Sequence, residues 1–87
     1  MLIGLFAYLA TFIFVTKEEA QILKDFGKRL RGIRLKRKFT QEKLAFTMEM
    51  EISQISRIER GVINTSLLNI IKIAETLHIS PCELFEG

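Results

Sequence analysis

An all-α chain of five short helices is what this sequence predicts, and three observations carry that reading. From residue 17 onward, apolar residues return at spacings of three and four, the period of a helix that buries one face. A Ser or Thr stands ahead of four of the periodic segments, at Thr16, Thr40, Ser66 and Ser80. Its side-chain oxygen can accept one of the backbone N–H groups left unpaired where a helix begins. After residue 16 no alternating strand pattern, repeat or low-complexity tract competes. The 87 residues allow one domain with a small core.

The elements follow in order. Thr16 with Glu19 three residues on is a capping-box pattern that starts a helix at Lys17. Leu23, Phe26, Leu30 and Ile33 form its apolar stripe. Gly27 and Gly32 each cost such a helix about 1 kcal/mol relative to alanine, so they mark either close packing or a break near Asp25. Thr40 opens a second helix through about Met48, with Leu44 and Ala45 inward. A third runs from about Ile52 to Arg60, with Ile55 and Ile58 inward and Gly61 closing it. Ser66 caps a fourth, striped by Leu67, Ile70, Ile71, Ala74 and Leu77. Ser80-Pro81-Cys82-Glu83 is a capping box with proline at the first helical position, starting a short last helix with Leu84 and Phe85.

Composition removes several function classes. The single cysteine, Cys82, permits no internal disulfide and fits a reducing cytoplasm. With one histidine and one cysteine, nothing has metal-ligand spacing, and no cofactor is expected. Convergent carboxylate pairs, a Cys/His pairing and a Gly-rich phosphate loop are all missing, so an enzyme is not expected. Glu42, Glu59 and Glu75 read as helix-surface or ion-pair residues. The charge is uneven: residues 17–38 carry nine Lys/Arg against three acids, whereas residues 39–87 carry four against seven. Cations gathered on one element suit a phosphate backbone, although a solvated helix face gives the same pattern.

Residues Thr40 to Gly61 spell two short helices around a tight turn, the second with polar and cationic side chains outward. That is a helix-turn-helix layout, which places one helix in the major groove of DNA. The chain here resembles the Cro/phage-repressor (Xre) type of helix-turn-helix over about Asp25 to Phe85. The resemblance rests on Leu30-Arg31-Gly32-Ile33-Arg34, Thr40-Gln41-Glu42-Lys43-Leu44-Ala45, Ile55-Ser56-Arg57-Ile58-Glu59-Arg60-Gly61 and Ile73-Ala74-Glu75-Thr76-Leu77. It implies a five-helix lambda-repressor-like domain and a homodimeric transcription regulator, repressor-like, on a palindromic operator in double-stranded DNA.

The resemblance also implies site residues. Ile52, Ser53 and Arg57 match positions that meet base edges, with Gln54 and Ser56 beside them. Arg57 has the fork that fits guanine O6 and N7, and Ile52 suits a thymine methyl. Gln41 matches a residue that braces the DNA backbone or the first base reader. Further phosphate candidates are Lys36, Arg37, Lys38, Thr40, Lys43, Arg60, Asn64 and Thr65. Arg34 and Glu59 match a pair that, withdrawn from water, joins the first helix to the third. Two departures stand out. Glu49 occupies the turn position where the family prefers Gly, and Glu51 the cap position where it prefers Ser or Thr. Both acids would repel phosphate. Met48 and Met50 read as core beneath the turn.

The segment 1–16 does not follow from that domain, which is read as 17–87. Its 16 residues are uncharged and, as a helix, would reach about 24 Å, short of a ~30 Å hydrocarbon core. It lacks the cationic start and cleavage site of a signal peptide. It suits an ordered element packed on the domain or a partner subunit, a short membrane anchor, or an extension upstream of a domain that is complete from near Val15. Leu84 and Phe85 are the other expected dimer contacts. A second class of function stays open: an antitoxin-type or other protein-binding module, with a toxin as partner and with residues 1–16 as a possible membrane tether.

Overall fold

The computed structural model describes residues 16–86; the segment 1–15, with the roles expected of it, lies outside the described residues. Among the described residues four α-helices follow one another: α1 (Lys17–Lys36), α2 (Gln41–Thr47), α3 (Ile52–Arg60) and α4 (Leu67–Leu77). The fifth expected helix is a single 3-10 turn, Pro81–Leu84. No strand occurs among the described residues.

Three of the four α-helices start where a hydroxyl side chain satisfies a free backbone N–H. The hydroxyl oxygens of Thr16, Thr40 and Ser66 accept from the backbone N–H of Glu19, Lys43 and Asn69 at 3.0, 3.0 and 3.1 Å. At the last turn the Ser80 N–H donates to Glu83 Oε2 at 2.8 Å. α1 runs unbroken past Asp25, so its glycines do not end it.

The core is one cluster to which every element contributes: Phe26 and Leu30 from α1, Leu44 and Ala45 from α2, Ile55 and Ile58 from α3, Ile73, Ala74 and Leu77 from α4, and Leu84. Each fully buried Leu or Ile contributes about 1.5–3 kcal/mol. Met48 belongs to this core and Met50 packs against it, beneath the turn between α2 and α3.

Three expectations need correction. On α4 the inward line is Ile73, Ala74 and Leu77, while Leu67 is 70% and Ile71 36% exposed. α4 is apolar on more than one face, and periodicity alone does not say which face the core takes. The short last element is 3-10: Glu83 N–H donates to the Ser80 carbonyl at 3.0 Å and Phe85 N–H to the Cys82 carbonyl at 2.9 Å, each three residues back, and the element is only four residues long. Leu84 is fully buried within the chain, so it has no surface to offer a second protomer. Its neighbour Phe85 is 56% exposed and leans on Phe26, ring centroids 5.4 Å apart.

Candidate nucleic-acid interface

α3 divides its side chains sharply. Ile55, Ile58 and Glu59 are buried, while Ile52, Ser53, Gln54, Arg57 and Arg60 are exposed and Ser56 is half-buried. Two polar and two cationic side chains, with Ile52 at the start, therefore look outward from a helix anchored by two isoleucines. The backbone at both ends sets that orientation. Before α3 the chain turns through Glu49 at φ 55°, a left-handed conformation that glycine adopts more readily. Glu51 then precedes the helix in an extended conformation, and its carboxylate makes no capping bond. After α3, Gly61 closes the helix at φ 71°, and a Cβ there would lie 2.6 Å from Lys24 Cα. Glycine is needed at Gly61 for both reasons.

The anchor between α1 and α3 is a buried bidentate ion pair. Arg34 Nε donates to Glu59 Oε2 at 2.5 Å and Arg34 Nη2 to Glu59 Oε1 at 3.0 Å. The remaining arginine nitrogen, Nη1, donates to the Phe39 carbonyl at 2.9 Å. Gln41 Nε2 also donates to Glu59 Oε1, at 3.0 Å. One carboxylate thus collects α1, the start of α2 and α3, and no buried side-chain polar atom among the described residues lacks a partner. At Gly27 a Cβ would stand 2.6 Å from the Ile58 carbonyl oxygen, so α1 lies directly against the α3 backbone. Gly32 has nothing within 4 Å and needs no such closeness.

The expected phosphate contacts divide into free and engaged groups. Lys36, Arg37, Lys38, Arg60 and Asn64 are exposed. Lys38 itself sits at φ 61°, turning the chain between α1 and α2, a conformation that no glycine or asparagine there announced. The Lys43 ammonium lies 4.6 Å from the centre of the Phe39 ring, and the Thr40 hydroxyl caps α2. Thr65 Oγ1 accepts from Asn69 Nδ2 at 3.1 Å. Gln41 is half-buried, its amide nitrogen already given to Glu59. Sequence reasoning missed that link and the Phe39 carbonyl, since a backbone acceptor leaves no trace in residue types.

A family model described as Helix-turn-helix matches residues 30–84, well over half of the chain. The chain belongs to the Xre-type helix-turn-helix family. It is a DNA-binding transcriptional regulator. It is similar to the control protein C.BamHI of Bacillus amyloliquefaciens, 47% identical over 62 residues that cover 70% of this chain and 76% of that one. Among solved structures it is similar to the restriction-modification controller protein C.AhdI from Aeromonas hydrophila. That likeness has a TM-score of 0.70 at 46% identity and covers 72% of this chain and 96% of the other.

Among the described residues, no three His, Cys, Asp or Glu side chains group so as to hold a metal ion, and no helix is long and apolar enough to cross a membrane.

Proposed function

We propose that this regulator is a restriction–modification controller: a cytoplasmic, repressor-like homodimer, not an enzyme, that lays one α3 into the major groove at each half of a palindromic operator. The observation that carries the reading is the outward row on α3, held rigidly from behind by the Arg34–Glu59 pair. The likeness to two controller proteins at 46% and 47% identity supports the subtype.

In this reading Arg57 makes a bidentate contact to guanine, and Ile52, Ser53, Gln54 and Ser56 meet neighbouring bases. Lys36, Arg37, Lys38, Arg60 and Asn64 bind phosphates, with Thr40, Gln41, Lys43 and Thr65 at the edge of the contact. A homodimer is needed because one short helix reads too few bases to select a site, and paired half-sites lie about 34 Å apart. With Leu84 buried, the protomer contact is assigned to the exposed apolar strip Leu67, Leu68 and Ile71 at the start of α4, with Phe85 as the other candidate. That strip follows directly on the Asn64–Thr65 loop assigned to phosphate.

Binding of the full chain to the DNA upstream of its own reading frame, against scrambled DNA and across salt concentrations, tests the proposal. The expected result is specific binding with a log–log salt slope of about −0.9 per neutralised phosphate. Equally weak binding to both DNAs would sink it and favour the protein-binding reading. Arg57→Ala is expected to lose about 1–3 kcal/mol at one operator position, seen by competition with single-base variants of the site. Uniform weakening across all variants would make Arg57 a phosphate ligand.

A further inference from the structure

Five cations of α1 take no part in the site described above, and four of them share one face, half-buried Arg29 lying off it. Lys17, Lys24, Lys28 and Arg31 follow at spacings of seven, four and three, so at about 100° per residue they fall within roughly 60° of arc. All four are exposed. The acids of α1 (Glu18, Glu19 and Asp25) lie outside that arc, and among the described residues the only ion pair is Arg34–Glu59. The result is an unbroken positive line about 21 Å long at 1.5 Å per residue.

Its position gives the line a partner. It borders the strip of α1 that faces α3, which Gly27 and Arg34 mark by their contacts with Ile58 and Glu59. The α1 backbone at Leu23 and Lys24 lies against Gly61, the residue that closes α3. The positive line therefore passes the end of α3 at Gly61. Charge of one sign, none of it held in an ion pair among the described residues and running up to the end of α3, matches the regular negative charge of a duplex backbone.

We propose that Lys17, Lys24, Lys28 and Arg31 form a second phosphate-binding row that grips the duplex outside the bases read by α3. The row rests on the DNA-binding reading above and extends it, because it makes affinity depend on the length of flanking DNA. It adds no base discrimination, since phosphate contacts carry no sequence information directly.

The test compares the unaltered full chain with the variant K17Q/K24Q/K28Q/R31Q on two duplexes. One is trimmed to the bases that α3 protects and the other carries flanks on both sides. The unaltered protein is expected to show a steeper salt slope on the flanked duplex than on the trimmed one. The variant should show equal slopes on both, its flanked slope shallower by about 0.9 for each phosphate it no longer neutralises. Thermal melting checks that the variant folds; should it not, the pair K24Q/K28Q is read in the same way. Identical slopes for variant and unaltered protein on the flanked duplex would overturn the row. So would loss of binding to anionic lipid vesicles in the variant with its DNA slopes intact, which would assign the row to headgroups. Failure of the unaltered protein to prefer its upstream DNA would instead overturn the controller reading, and the slopes on random-sequence duplex would still decide the row.

Discussion

Glu59 is the residue on which three helices converge. Its carboxylate takes two bonds from Arg34 and one from Gln41, at a depth where the side chain is only 3% exposed. Replacing such a pair with apolar residues is often neutral, but removing one partner leaves a buried charge unpaired and costs about 3–5 kcal/mol. Glu59→Ala is therefore expected to lower the melting temperature by more than about 10 °C in a domain of this size. A fall of only a few degrees would mean that the pair does not join the helices. The pair of residues was legible from the family resemblance. Gln41 as a third member was not, because its side chain reaches Glu59 only once α2 and α3 have folded against each other.

The helices show the same division between local and tertiary causes. Caps at Thr16, Thr40 and Ser66 are local events of a few residues, and α1, α2 and α4 begin where they predict. The two glycines of α1 look alike in sequence and differ in the fold. Gly27 lies so close to α3 that a methyl group would collide with backbone carbonyls, whereas Gly32 faces open space. Gly32→Ala is expected to stabilise the protein by up to about 1 kcal/mol through helix propensity. Gly27→Ala should destabilise it by roughly 1–3 kcal/mol through overpacking, despite the same propensity gain. Paired denaturant titrations check both, and equal effects would mean that α1 does not press on α3. On α4, helical periodicity predicted the element, but the choice of Ile73 over Leu67 and Ile71 for the core belongs to its neighbours.

At the scale of the whole molecule, the apolar surface not used by the core becomes informative. Leu67 and Leu68 are 70% and 69% exposed on consecutive residues, beside the loop that the proposal places on phosphate. A second protomer covering this strip would remove it from water. Leu68→Glu is expected to shift the protein to monomer in sedimentation and to weaken operator binding, with its melting temperature little changed. A dimer that survives the substitution would place the two-fold axis on another face. Phe85 would then be the next position to alter, because it keeps half its surface exposed while leaning on Phe26.

What the sequence by itself determined is the set of helices, their starts, the helix-turn-helix register and the outward row on α3. Those depend on near neighbours: a cap three residues away, a period of 3.6, a glycine at a helix end. What only the tertiary structure decided is which of several apolar lines faces inward, which glycine is pressed against another helix, and which polar groups share one carboxylate. Leu84 is withdrawn from any interface and Gln41 is tied to Glu59 for the same reason. Burial and long-range hydrogen bonding depend on segments distant in sequence meeting in space, and residue spacing along one helix carries no record of the partner it will meet.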